Sequence, residues 1–332
     1  MEEEQQSRTL QRRKMRRRRR RKRIAVFFIT VATLLFLVVG GGLTWAWSQI
    51  SGLTNDTFQP LPREISDLRP DQESVNIQDD HVSVLFLGVD SREGAVSGRS
   101  DAMILATFNR DDSSVKMLSI PRDSYVEIPG RGSERISHAH AYGEHDLAVE
   151  TVENFLDVPV DYYATINFQA FIEIVDTFGG ITVDSDISFS EQDSEHNPDA
   201  IFIEEGVQEL NGEEALAYVR HRNTDGDLAR GNRQTEVIAS LINEATSISN
   251  ISNYDDAFKS LENNMNHNIE GFQELIAFHS YASSLDSMER FQLEGTFERI
   301  DGSEVIVIDD TSLANARLKL RNHLELDDSE QP

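Results

Sequence analysis

Residues 163–183, YATINFQAFIEIVDTFGGITV, change pattern three times within a short span. Tyr163–Ile166 is a β-prone run. Asn167 then suits a helix cap, because its side-chain oxygen can accept from a free N–H of the first turn. Phe168, Phe171, Ile172 and Val175 follow as one buried stripe of a helix over Asn167–Phe178, Gly179-Gly180 stops it, and Ile181–Val183 returns to an extended pattern. Strand, capped helix and strand in succession place the chain in the α/β or α+β class, with helices on the faces of a central sheet.

Upstream, Val82–Leu87 reads as a strand running into Gly88-Val89-Asp90-Ser91-Arg92. Ala102–Phe108 follows a loop carrying Arg99, Ser100 and Asp101, and Val115–Ile120 ends in Pro121-Arg122-Asp123. Three strands therefore deliver charge close to a terminus, where sheet proteins gather sites. Glu144–Leu156 has a helical pattern. Downstream, 188–200 is polar and reads as a loop, and Asn211 caps a short helix leading into an extended Leu216–Arg222. A helix starts near Leu228 with Val237, Ile238, Leu241 and Ile242 as its apolar stripe. Residues 247–268 fit no period. Beyond them the patterns give a helix over Leu275–Leu285, strands at Arg290–Leu293 and Val305–Ile308, a final helix over Ser312–Leu324 and an acidic tail, 327–332.

Charge is segregated along the chain. The formal net charge is −27, yet the first 23 residues carry 12 Lys or Arg against Glu2, Glu3 and Glu4, which leaves about −36 for the rest. Between the two runs Ile24–Trp47 without a charge. At about 1.5 Å per helical residue it crosses the roughly 30 Å hydrocarbon core. The run is longer than a signal-peptide core and no small-x-small cleavage site follows it, so the expectation is an uncleaved signal anchor with 1–23 cytoplasmic and the acidic body outside. Residues 48–80, with Pro60, Pro62 and Pro70, read as a stalk, and 81–326 as the globular domain. The absence of cysteine excludes disulfides and thiolate zinc sites. The acidic body excludes non-specific nucleic-acid binding as a function.

Between Ile136 and Lys259 the only Lys or Arg are Arg220, Arg222, Arg230 and Arg233, among about 25 Asp and Glu. Arginine forks match phosphate oxygens and stay charged at any working pH, so the cluster points to a phosphate ligand. In the extended reading Arg220 and Arg222 share one face and His221 the other. Arg230, Arg233 and Gln234 share a flank near a helix N-terminus, which also favours an anion. A salt-bridged surface in an acid-rich protein accounts for the stretch equally well.

Six segments, LGVDSR (87–92), RSDAMILATF (99–108), LSIPRDSYVEIPG (118–130), HAYGE (140–144), INFQAFIEIVDTFGGITV (166–183) and LNGEEALAYVRHR…GDLARGNRQ (210–234), resemble in order and spacing the LytR-CpsA-Psr family of cell-wall phosphotransferases. The resemblance covers about residues 82–246. It implies an α-β-α sandwich around a central mixed sheet, preceded by a single transmembrane helix. It also implies an enzyme that takes an anionic glycopolymer, teichoic acid or capsule, from a polyprenyl pyrophosphate carrier and moves it as glycosyl phosphate to a peptidoglycan hydroxyl outside the cell.

Residue by residue, Asp90 and Asp101 match the family's magnesium-holding carboxylates. Arg99, Arg122, Arg220, Arg222, Arg230 and Gln234 match the pyrophosphate contacts, and Asp90, Asp101, Arg122 and Arg220 are the residues expected to carry catalysis. Arg233 either joins them or anchors its helix, and Asp227 either caps that helix or orients an arginine. Arg92 could reach phosphate or pair with Glu93. Asp123 reads as a structural partner, and structural roles are expected for His138, His140 and His221. A polyprenyl pyrophosphate pyrophosphatase and a non-enzymatic envelope or transcription regulator stand as alternatives.

Overall fold

Alternate residues of the strand at Val82–Val89 face opposite layers: Leu85 and Leu87 enter one apolar core, Val84 and Phe86 another. A period of two in a strand buried on both sides is the local signature of a sheet covered by helices above and below. The computed structural model describes residues 57–70, 75–77, 79–91, 96–222, 226–246, 264–269 and 288–326. The span expected over 24–47, the tails at 1–23 and 327–332 and the helix expected over Leu275–Leu285 lie outside them. No helix among the described residues is long and apolar enough to cross a membrane.

In chain order the elements are β1 (Val82–Val89), β2 (Ser100–Asn109), β3 (Ser114–Ser119), β4 (Tyr125–Ile128), β5 (Gly132–Arg135), α1 (His138–Leu156), β6 (Tyr162–Asn167), α2 (Phe168–Thr177), β7 (Ile181–Ser185), β8 (Phe189–Glu191), β9 (Ile201–Ile203) and β10 (Gly206–Leu210). They continue as α3 (Gly212–Arg220), α4 (Gly226–Thr246), β11 (Met265–His267), β12 (Glu289–Gln292), β13 (Gly295–Ile300), β14 (Ser303–Ile308) and α5 (Asp310–His323). Six strands form the central sheet in the order β11-β6-β1-β2-β3-β12. The sheet is mixed: β1 runs parallel to β6 and β3 to β12, while β1–β2, β2–β3 and β6–β11 are antiparallel.

One face packs on α1 and α5 through Val149, Val152, Leu156, Ala316 and Leu320. The other packs on α4 through Ile238 and Ile242. Asn167 caps α2 as its type predicts, accepting from Ala170 N at 2.9 Å. Helix α1 starts earlier than its apolar pattern, at His138, because it is two pieces joined by non-helical Gly143 and Glu144 (φ 52°). Residues 57–70, expected as stalk, lie along the body. Tyr163 Oη donates to Gln59 O at 2.6 Å, Ser66 Oγ to Glu153 Oε1 at 2.7 Å, and Arg69 Nε to Asp161 Oδ1 at 2.9 Å. These ties are polar and reach far along the chain, so no local apolar period announces them.

Two buried histidines make stability depend on pH. His267 Nε2 donates to Thr57 Oγ1 at 2.8 Å while its Nδ1 accepts from Ile269 N at 3.2 Å, and the His323 ring sits 2.7 Å from the hydroxyls of Thr107 and Ser114. Burial lowers each imidazole to about 4. The unfolded chain, with an ordinary value near 6.5, therefore takes up protons that the folded chain refuses. Stability is full above about pH 6.5 and falls as pH drops toward 4, by on the order of 3 kcal/mol per histidine. The urea midpoint should fall steeply between pH 7 and pH 4.5, and His323→Gln should flatten that slope.

Candidate active site

Since β1, β3 and β6 run the same way, their C-terminal ends share one edge of the sheet, and β2 begins there. Asp90 follows β1, Asn167 ends β6, and Arg122 follows β3. Across β1 and β2 the register steps from Gly88↔Ala102 to Val89↔Ser100, so Asp101 is the extra residue of a β-bulge. A bulge re-aims its side chain, which is why bulges recur beside active sites. Here it brings the Asp101 carboxylate to Arg122, with Nη1 to Oδ1 at 2.5 Å. Asp123 balances the same arginine from the other side, 3.5 Å from its Nε and 3.6 Å from Arg135 Nη1, which is the partner role expected of it.

Leu216–Arg222 is not the extended segment its β-prone residues suggest. Asn211 and Glu214 form a capping box, each side chain bonded to the other's backbone N–H, and the helix they start, α3, runs to Arg220. Satisfied end groups and buried Ala215, Leu216 and Tyr218 outweigh strand propensity. Only Gly212 lets α3 approach α2 this closely, since a Cβ there would lie 2.4 Å from Ile172 O. Extended backbone at His221 (φ −60°, ψ 131°) then separates Arg220 from Arg222, so both still line one cavity while His221 is buried on the other side. Helix α4 crosses the end of β3 at Gly231, where a Cβ would sit 2.7 Å from Ser119 Oγ, and this crossing sets Arg230 and Gln234 into the same cavity.

The cavity encloses about 600 Å³ and is lined by all eight of Asp90, Arg99, Asp101, Arg122, Arg220, Arg222, Arg230 and Gln234. These polar groups gather where the sheet edge meets α3 and the start of α4. Most of its remaining walls are apolar, among them Phe86, Ile104 and Ala164 from the sheet, Phe171 from α2, and Val237 and Leu241 from α4. Arg220 lies 5.0 Å from the Phe168 ring centroid, and its buried Nη1 finds no acceptor among the described residues.

Arg233 lies outside the lining. It is buried, donates Nη2 to His221 O at 2.6 Å and packs on Phe189 and Tyr218, so it anchors α4. The side chains of Arg92 and Asp227 lie outside the described residues. His140 holds the Arg99 loop through Nδ1 and Gly98 O at 2.8 Å, and burial lowers its pKa, so a neutral ring donates to that carbonyl. His138 Nδ1 is 2.5 Å from Glu134 Oε1. His221 meets Glu191 at 3.0 Å. Glu191 and Gln192 line the cavity too, and sequence reasoning missed both because 188–200 reads as a loop. The short strand β8, whose Phe189 is buried, was the signal available.

The LytR_cpsA_psr family model matches residues 59–322. The chain is 41% identical over 251 residues to the polyisoprenyl-teichoic acid–peptidoglycan teichoic acid transferase TagT of Bacillus subtilis strain 168, which spans 74% of this chain and 77% of that one. TagT bound to LIIa-WTA matches in structure with a TM-score of 0.69 at 36% identity, over 80% of this chain and 99% of the other. A LytR-CPS2A-psr family protein, TagT with bound octaprenyl pyrophosphate lipid, gives 0.65 at 34% identity, again over 80% and 99%. Matched along most of its length in both sequence and fold, the chain belongs to the LytR-CpsA-Psr family.

Proposed function

We propose that this chain transfers an anionic glycopolymer, of the teichoic acid or capsule kind, as glycosyl phosphate from a polyprenyl pyrophosphate carrier to a peptidoglycan hydroxyl. The observation that carries the reading is one continuous cavity, apolar along its length and ringed by five arginines at one end. An isoprenoid chain gains about 0.8 kcal/mol for each methylene it buries. A pyrophosphate suits the arginines, and the buried Nη1 of Arg220, which finds no acceptor among the described residues, could donate to a phosphate oxygen. The relatives named as transferases, one of them solved with octaprenyl pyrophosphate, support the same reading.

Asp90 and Asp101 fit a magnesium ion. Both offer hard oxygens, they come from neighbouring strand ends, and Arg122 engages Oδ1 of Asp101 rather than Oδ2. Two carboxylates are what magnesium usually takes from protein when substrate oxygens and waters complete its shell. A second group, His81, Asp111 and Glu325, lies at the other end of β1, and its imidazole Nδ1 already accepts from Arg110 N. When bound at Asp90 and Asp101, magnesium supplies charge neutralisation to the pyrophosphate.

The chain's own groups do the rest. Arg122, Arg220, Arg222 and Arg230 hold the phosphates and stabilise charge developing on the departing polyprenyl phosphate, while Arg99 and Gln234 fix orientation. Positioning and neutralisation suffice for a loose phosphoryl-transfer transition state. The uncharged run 24–47 and the basic residues 1–23 support a single-span anchor with a cytoplasmic amino terminus and this site outside the cell.

The test incubates the full chain with a labelled lipid-linked polymer, magnesium and peptidoglycan fragments. Label should pass into peptidoglycan, and only when the acceptor is present. Release of labelled polymer phosphate at an undiminished rate without acceptor would replace this reading with the pyrophosphatase.

A further inference from the structure

Among the described residues, three carboxylates line the cavity: Asp90, Asp101 and Glu191. The first two are the metal pair, and Asp101 is also held by Arg122 at 2.5 Å. A proton arriving at either would have to displace a cation. Glu191 is not one of that pair. It ends β8, in a two-stranded sheet separate from the central one, and lines the cavity with only 12% of its side chain exposed. His221 Nδ1 lies 3.0 Å from Oε2, and the N–H of Gln192 donates to Oε1 at 3.1 Å.

The imidazole is fixed in turn. His221 is 2% exposed, stacks on Phe189 with ring centroids 3.8 Å apart, and is tied through its carbonyl to Arg233. One hydrogen-bond donor on each oxygen thus orients the carboxylate and leaves further lone pairs on both. The charged groups sharing this end of the cavity are Arg220, Arg222 and Arg230 on the helix side and Asp90, Arg99, Asp101 and Arg122 on the sheet side.

We propose that Glu191 is the proton acceptor for the attacking hydroxyl, with His221 as its positioning residue. The proposal rests on the transferase reading above. As the acceptor oxygen forms its bond to phosphorus, its proton passes to Glu191. The bond between that phosphorus and the bridging oxygen breaks, and the electron pair leaves with the polyprenyl phosphate. No oxidant or further reactant is needed. A carboxylate whose oxygens are held by His221 and the Gln192 N–H, with no arginine paired to it among the described residues, can receive a proton when the hydroxyl is within hydrogen-bond reach.

Glu191→Gln keeps the shape and the contact with His221 but cannot take the proton. It should slow transfer by about 100-fold or more. Binding of the labelled donor lipid should stay within about twofold of wild type, measured by equilibrium partition with the full chain in detergent. Glu191→Ala should recover rate on addition of formate, a small external carboxylate, which a purely structural role would not allow. Transfer by Glu191→Gln within about threefold of wild type, or a loss of donor affinity as large as the loss of rate, overturns the proposal. Absence of transfer by the wild-type chain would instead remove the transferase reading beneath it, so the two failures are distinguishable.

Discussion

Arg220→Ala is expected to reduce the second-order rate of transfer by about 100- to 1000-fold, roughly 3 to 4 kcal/mol of transition-state stabilisation, the loss typical of one preorganised donor to a developing oxyanion. The geometry explains why this arginine should weigh so much. It ends α3, where the helix C-terminus favours a cation, and its guanidinium carbon lies 5.0 Å from the centre of the Phe168 ring, which helps to hold it in place. Arg220→Lys should restore little, because an ammonium cannot reproduce the planar fork of donors or the ring contact. The measurement is kcat/KM for labelled lipid-linked polymer, with circular dichroism to show that both variants fold. Rates within threefold of wild type for the alanine variant would remove Arg220 from the site.

Ala164→Trp is expected to act at the far end of the same cavity. Ala164 lies on β6 between Phe86 of β1 and His267 of β11, and its small side chain leaves the apolar wall open. A tryptophan there would fill space intended for the carrier tail. If it excludes three methylene groups, the loss is about 2.4 kcal/mol, or roughly 50-fold in affinity. A short water-soluble pyrophosphate, which needs only the arginine end, should bind as before. Equal weakening of both ligands would mean that the substitution disturbs the fold, and unchanged binding of the long-chain carrier would show that the tail lies elsewhere. Together the two variants separate head-group chemistry from lipid recognition within one cavity.

Much of this site was legible because its parts are marked by residue type. Asp90, Asp101, Arg122, Arg220, Arg222, Arg230 and Gln234 stand out as charged or polar residues at the ends of apolar runs, and every one of them lines the cavity. The reading of Arg220 and Arg222 as neighbours on a pleat gave the right convergence through the wrong geometry. The capping box at Asn211 carries the helix to Arg220, and a single extended residue, His221, then does what the pleat was expected to do. Glu191 escaped notice because its only local mark is the short strand β8 with buried Phe189, inside a stretch that reads as a polar loop. Its significance lies in a contact with His221, thirty positions away in the chain.

The sequence by itself determined five of the six strands of the central sheet, all but β11, the capped helix after Asn167, the charge division between the first 23 residues and the rest, and the list of groups able to hold a phosphate. These follow from forces that act within a few residues: periods of two and 3.6, caps that reach three positions, and the solvation of charge. Only the tertiary structure decided that α3 is helical to Arg220, that a bulge turns Asp101 toward Arg122, that residues 57–70 lie on the body, and that Glu191 lines the same cavity as the arginines. Apart from the local capping box that starts α3, each of those rests on packing or hydrogen bonds between segments distant in sequence, whose energy exists only once the sheet and helices have brought them together.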